Sequence, residues 1–181
     1  MIEHQASHPP APERRTHSGR PANDRTITVR PATPSDLGLI VNLRLALVRE
    51  HRANPIYERV RPDAPDRARR LFAAQLRSPD EVIFLAQRDE QVVGILRCVQ
   101  AGGLPLLFPP THGYISSVYV VPRARRQGVL RALLDAAIAW CVARDITELR
   151  LHNASDNAVA NTVWEALGFH VVEHLRLRRL A

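Results

Sequence analysis

Apolar and polar residues alternate over Thr26–Arg30, where Ile27 and Val29 sit between polar neighbours, and this pattern predicts a short strand. The period then changes. Thr33-Pro34-Ser35-Asp36 supplies a capping residue, a proline suited to the first helical position and an acid that closes a capping box. Leu37, Ile40, Leu43 and Leu47 follow at helical spacing as far as about Glu50. A loop over 51–65 precedes a second helix over 66–77, with Ala68, Leu71, Phe72 and Leu76 on one side. Strands are predicted over 82–88 and 91–100, joined by a tight turn at Asp89-Glu90. A long loop over 102–113 holds three prolines. Next come a β-branched strand over 114–121, an apolar helix over 127–144, a strand over 147–152 and a helix over 156–167 that Gly168 ends. The alternation over 169–172 and 174–180 predicts a closing antiparallel pair.

The element order is therefore β-α-α-β-β-β-α-β-α-β-β. Strands 114–121 and 147–152 flank a buried helix, so they should run parallel with a right-handed crossover. The earlier hairpins should be antiparallel. The expected fold class is α/β (α+β): a mixed, mostly antiparallel sheet of six to seven strands, a central parallel pair, and helices on both faces. Residues 1–25 are rich in Pro, Arg, His and Ser. They hold too little apolar surface to order themselves and should form a disordered tail, leaving one domain over 26–181.

Charge alters this picture only locally. The chain carries a net charge of +7, and all 25 basic residues are arginine. Such usage points to a GC-rich genome. The arginines are scattered among helices, turns and the tail, often beside Asp or Glu, so nucleic acid is not the expected partner. An anionic small molecule explains the cluster of Arg123, Arg125, Arg126 and Arg131 equally well. No run approaches the roughly 18 apolar residues of a membrane span, and the first residues lack the apolar centre of a secretory signal. A cytoplasmic location without membrane contact is expected. Cys98 and Cys141 lie in apolar segments and form no CxxC pair, which predicts buried free thiols. The eight histidines show no metal-ligand spacing, so no metal is expected.

The most informative stretch is Val120-Val121-Pro122-Arg123-Ala124-Arg125-Arg126-Gln127-Gly128-Val129-Leu130-Arg131. A strand runs into an arginine-rich turn with one glycine, and a helix begins at once. The first N–H groups of a helix lack partners inside it and carry the positive end of its dipole, so a phosphate can rest there with arginines beside it. The turn is neither a GxxxxGK[ST] loop nor a GxGxxG loop. By spacing alone, a solvated surface turn is an equal reading.

A second segment shifts that balance. Asn157-Ala158-Val159-Ala160-Asn161-Thr162-Val163-Trp164-Glu165-Ala166-Leu167-Gly168-Phe169 resembles a pattern of the GNAT acyltransferase superfamily. Arg125-Arg126-Gln127-Gly128-Val129-Leu130 resembles that superfamily's [Q/R]-x-x-G-x-[G/A] motif. The two are separated by one helix and one strand, as in the family, and the resemblance covers roughly residues 26–181. It implies a splayed parallel strand pair holding the pantetheine arm of acetyl-CoA against backbone groups of Val118, Tyr119 and Val120. It implies a pyrophosphate on the turn from Arg125 through Arg126, Gln127, Gly128, Val129 and Leu130 to Arg131. It also implies Asn157 near the pantetheine and Trp164 near the thioester sulfur. For Asn157 a helix N-cap is an equal reading, shared with Ser155 and Asp156.

Three positions depart from the family pattern. Leu130 stands where Gly or Ala is preferred. Trp164 stands where many members carry a tyrosine that protonates the leaving thiolate, and an indole is only a donor. The strand from Tyr114 offers Ser116 and Ser117 but no carboxylate base. Tyr114, His152 and Ser117 are therefore the catalytic candidates, with His112 behind them. The acceptor should meet the 51–65 loop around His51, Asn54 and Tyr57, and loop 102–113 should wall its other side. Acidic residues are sparse in both loops, which weighs against a polycationic acceptor such as a polyamine or an aminoglycoside. The resemblance implies an acetyl-CoA-dependent N-acetyltransferase acting on an amine of a small molecule or peptide by direct attack on the thioester. The alternatives are a catalytically silent acyl-CoA-binding module and an RNA-directed acetyltransferase. A homodimer is compatible with the sequence.

Overall fold

The computed structural model describes residues 26–180, so the tail expected over 1–25 lies outside the described residues. Strand β1 (Thr28–Pro31) leads through a 3-10 turn into helix α1 (Leu37–Glu50). There follow α2 (Ala64–Gln75), β2 (Glu81–Arg88), β3 (Gln91–Gly102), β4 (Thr111–Val120), α3 (Val129–Val142), β5 (Leu149–Leu151) and α4 (Ala158–Ala166). The strands lie in sequence order in one sheet. β1, β2, β3 and β4 pair antiparallel, and β4 pairs with β5 in parallel.

Local chemistry sets the joints. The expected capping box forms, with the Asp36 carboxylate accepting the Thr33 N–H at 2.8 Å, and the Asp36 N–H also donates to the Thr33 backbone carbonyl at 2.9 Å. Arg30 reaches from β1 and grips both oxygens of Asp36 at 2.8 Å. Asp89 and Glu90 have φ of 50° and 63°, the signature of a type I′ turn, whose twist suits a two-residue hairpin.

The alternation of β2 and β3 splits the core in two. Phe84, Ala86, Leu96 and Cys98 face α3, which buries Val129, Leu133, Leu134, Ala137 and Cys141. Ile83, Leu85 and Ile95 face the other way, against Ile40, Val41 and Leu43 of α1 and Phe72 of α2. Full burial of each Val, Leu, Ile or Phe among them contributes about 1.5–3 kcal/mol. Gly94 lets α3 settle on the sheet: a Cβ there would lie 2.9 Å from Val129 Cγ1 and 3.1 Å from Leu133 Cδ1.

The expected fold class holds, with one correction at the end of the chain. The closing pair over 169–172 and 174–180 is not formed, and the sheet has five strands with the parallel pair at its edge. β5 pairs over only three residues, so its outer edge offers little backbone to a further strand. Phe169 turns inward, edge-on to Trp164 with ring centroids 5.3 Å apart. Val171, Val172, Leu175, Leu177 and Leu180 are exposed. Arg179 draws the segment toward the α1–α2 loop, where it meets Glu58 at 2.5 Å and donates to Pro55 O at 3.1 Å. Among the described residues no helix is long and apolar enough to cross a membrane.

Candidate active site

β4 is the axis of the site. Its Gly113, Tyr114 and Ile115 pair with Leu149, Arg150 and Leu151 of β5, whereas Ser116 to Val120 continue without a β5 partner. The two parallel strands thus part. The register with β3 shifts between Ile95↔Tyr119 and Arg97↔Ser116, and Ser117 sits at this shift with φ of 53°. A bulge of this kind bends the strand and re-aims its backbone. Beyond the bulge, the Val121 N–H donates to Val93 O at 2.9 Å. Antiparallel pairing then directs the backbone groups of Tyr119 toward β3, and those of Val118 and Val120 toward the open side.

The strand ends in the arginine turn. Pro122–Ala124 form a 3-10 turn, Arg126 has φ of 59°, and Gly128 has φ of 83° as the residue preceding α3. A Cβ on Gly128 would meet only Ile27 Cδ1 at 3.8 Å, so its conformation rather than crowding favours glycine. The Ala132 N–H donates to Gly128 O, which leaves the N–H groups of Val129, Leu130 and Arg131 without helical partners. Arg126, Gln127, Gly128 and Arg131 are exposed around them.

The arginines of the turn divide by task. Arg125 donates through Nε to Val120 O at 2.9 Å and through Nη2 to Glu50 Oε2 at 2.6 Å, while its guanidinium lies 5.7 Å from the Tyr119 ring centre. It ties the turn to the end of α1. Arg123 donates to Gln91 Oε1 at 2.8 Å. Gln127 accepts from Arg88 of β2 and donates to Arg123 O at 2.9 Å.

At the other end of β4, Tyr114 Oη lies 2.8 Å from His152 Nδ1. His152 follows β5 directly, so the parallel pairing brings together two residues 38 positions apart. Burial pushes the Tyr114 phenol above its ordinary pKa, with Tyr57 adding to the shift and Arg97 opposing it. The hydroxyl therefore keeps its proton at neutral pH. Residues opposite one another share a face of the sheet. Arg97 and Ser116 form one such pair, Val99 and Tyr114 another, and Arg150 flanks Tyr114 from β5. Arg97 binds Glu81 at 2.6 Å through Nε and Ser116 Oγ at 3.0 Å through Nη1, and Arg150 binds Glu148 at 2.7 Å. His112 is buried on the same parity; burial depresses its pKa, helped by Arg150, and its Nδ1 has no hydrogen-bond partner. Tyr57 comes from the α1–α2 loop, with His51 beside it at 6.1 Å and Arg44 at 6.0 Å.

The α4 segment is fixed by its own polar groups. Asn157 Oδ1 accepts the Ala160 N–H at 3.0 Å, so this atom caps the helix. Asn161 donates to Ser155 O at 3.0 Å. Trp164 is buried against Phe169 and joins the core. Cys98 and Cys141 are free and buried with sulfurs 3.7 Å apart, and burial raises both thiol pKa values. Among the described residues no group of three or more His, Cys, Asp or Glu is placed to hold a metal ion.

Three contributors went unforeseen. Glu50 was visible only as the end of a helix. The Glu81–Arg97 pair joins two strands whose register no local pattern reveals. Arg88 did leave a signal: it follows Phe84 and Ala86 on the parity of β2 that faces the core.

A parallel pair that parts, a helix start at an arginine turn and a polar sheet face beside them are the architecture found in acyltransferases that use acyl-coenzyme A. The model of the acetyltransferase (GNAT) family matches residues 46–169, and the chain belongs to that family. An aminoglycoside N(6′)-acetyltransferase type 1 of Stenotrophomonas maltophilia is 29% identical over 152 residues, which is 82% of this chain and 89% of that protein. The corresponding enzyme of Acinetobacter haemolyticus is 33% identical over 61 residues, and the match spans 34% of this chain and only 42% of that relative. Among solved structures, a predicted acetyltransferase from Clostridium acetobutylicum with acetyl-CoA superposes with a TM-score of 0.71 at 21% identity, covering 84% of this chain and 96% of its own. The AAC(6')-Iy enzyme in complex with a bisubstrate analogue gives 0.70 at 20% identity, covering 86% and 99%. These likenesses establish the fold of acetyl-CoA-dependent N-acetyltransferases.

Proposed function

We propose that this protein transfers an acetyl group from acetyl-CoA to an amine of a small polar molecule or peptide by direct attack on the thioester. One observation carries the reading. The open edge of β4 joins the arginine turn at one end to the Tyr114–His152 pair at the other. From Tyr114 to Val120 the strand spans about 20 Å. The pantetheine arm lies along that edge on backbone groups of Val118 and Val120, and the pyrophosphate rests on the free N–H groups from Val129 to Arg131 with Arg126 and Arg131 beside it.

The chemistry needs one proton moved. His152 takes a proton from the attacking amine as the C–N bond forms. The tetrahedral intermediate collapses, the C–S bond breaks, and Tyr114 Oη gives its proton to the coenzyme A thiolate. His152 Nδ1–H then restores the Tyr114 proton through their 2.8 Å contact. The cycle ends with no net proton gained by the protein. Alignment of the amine with an already activated thioester supplies much of the acceleration. Ser117 acts through the backbone of its bulge, which presents β4 groups to the thioester carbonyl.

The relatives named above are aminoglycoside enzymes, and aminoglycosides are polycations. Here the carboxylates around the acceptor face are already engaged: Glu81 by Arg97, Glu148 by Arg150, Glu58 by Arg179. That arrangement favours an acceptor with few positive charges. The test is thiol release from acetyl-CoA across an amine panel that includes aminoglycosides, polyamines, amino acids and short peptides. Turnover above hydrolysis with a monoamine supports the reading. Exclusive turnover of aminoglycosides overturns the acceptor assignment. Tight acetyl-CoA binding with no turnover leaves the silent binding module in its place.

A further inference from the structure

Arg88 is a buried cation on an apolar face. It ends β2 on the parity of Phe84 and Ala86, is 9% exposed, and lies under the arginine turn rather than in it. Burying a guanidinium is costly unless hydrogen bonds replace its water, and an apolar residue would fill the same parity at lower cost. Arg88 Nη1 donates to Gln127 Oε1, a neutral acceptor. The chain of bonds continues from there. Gln127 Nε2 donates to Arg123 O at 2.9 Å, and Arg123 Nη2 donates to Gln91 Oε1 at 2.8 Å. Both ends of the segment 123–127 are thus fastened to the β2–β3 hairpin. Within and beside it stand Arg126 and Gly128, both at positive φ. A backbone held in that region persists only when its surroundings determine it, and this one must hold several N–H groups toward a single ligand.

We propose that Arg88 is a positioning residue for acetyl-CoA: through Gln127 it holds the pyrophosphate-binding turn in its binding conformation. The inference rests on the reading of this turn as the pyrophosphate site. Arg88 touches no reacting atom, so it governs capture of the cofactor and leaves the acyl-transfer step alone.

The experiment is a double-mutant cycle on the full chain, read as the acetyl-CoA Kd by calorimetry. Arg88→Met and Gln127→Met should each weaken binding about ten-fold, and the double variant should also lose about ten-fold rather than a hundred-fold, because both cut one link. Arg88→Lys, which keeps the charge and a donor, should recover most of the loss. With an active amine, KM for acetyl-CoA should rise while kcat stays constant. Gln127 is exposed, so its variant keeps the test alive if Arg88→Met fails to fold. A wild-type Kd for Gln127→Met, or losses that multiply in the double variant, would overturn the proposal. Gly128→Asp separates the two levels: if it too binds acetyl-CoA normally, the pyrophosphate assignment itself has failed.

Discussion

At the C-terminal end of β4 the side chains of the arginine turn hold one another, whereas at its N-terminal end large apolar side chains stand in solvent. Arg125 is tied to Glu50 and Val120, Arg123 to Gln91, and Gln127 to Arg88. By contrast Leu106 and Phe108, at the tip of the β3–β4 loop, are each 95% exposed. The segment beyond Gly168 forms no strand, and the α1–α2 loop meets it mainly through Arg179. Under the proposed function the two ends have different tasks. A cofactor of constant shape rewards a preorganised cradle, because every side chain fixed beforehand is one less to order on binding. The acceptor end is assembled from three segments far apart in sequence, with few bonds between them. Loops of this kind on a rigid scaffold are where specificity changes most readily.

The sharpest test of the division strikes the core beneath the acceptor face. Phe72 is 2% exposed between α2 and the sheet. Phe72→Ala should cost about 3–5 kcal/mol in denaturant unfolding. At temperatures where the variant remains folded it should raise the acceptor KM more than the acetyl-CoA Kd. Equal losses at both ends would erase the distinction.

Gly128→Asp attacks the other end. It places a carboxylate where phosphates should rest and should weaken acetyl-CoA binding by at least about a hundred-fold, while the positive φ of Gly128 costs about 1–2 kcal/mol of stability and leaves the domain folded. An unchanged Kd would remove the turn from the site. Tyr114→Phe removes the hydroxyl that meets His152 and should lower kcat by about ten- to a hundred-fold with an unchanged acetyl-CoA Kd. The raised Tyr114 pKa adds a direction: the acidic proton is lost only above the ordinary phenol range, so the alkaline limb of the wild-type rate should lie there and vanish in the variant.

A smaller effect lies far from both ends. Arg30 and the Thr33 N–H hold the Asp36 carboxyl well below the usual carboxylate range, with the Arg30 hydrogen bonds the largest cause. A depressed carboxylate stabilises the fold above its unfolded pKa, and that stability is lost as pH falls below about 4. Asp36→Asn should cost about 1–2 kcal/mol at pH 7, discounted for the partly exposed Arg30, and the gap from wild type should close in acid. Smallest of all, deletion of residues 1–24 should leave the melting temperature nearly unchanged. A drop of several degrees would mean that the segment packs on the domain.

Much of this fold is legible in the sequence. Hydrophobic period, the Thr33–Asp36 box, the Asp89-Glu90 turn and Gly168 each act over a few residues, so they survive without knowledge of the whole. The boundaries of α1, β2 and β3 accordingly lie within a few residues of those expected. The 169–180 alternation misled because period reports only that a segment suits a strand; a partner edge must exist, and β5 is too short to provide one. For Asn157 two roles were open, and the structure puts its side-chain oxygen on the helix cap.

What the chain determined by itself is the outline of the proposed cofactor half: a strand, a glycine turn and a helix start are contiguous, and their chemistry depends on backbone geometry that neighbouring residues control. Only the tertiary structure decided how that half is held and which polar side chains meet at the other end of β4. Arg88 meets Gln127 across 39 positions, Glu50 meets Arg125 across 75, and Tyr114 meets His152 across 38. Those meetings follow from strand register and from the run of α1 across the sheet, and no local pattern of apolar and polar residues encodes either one.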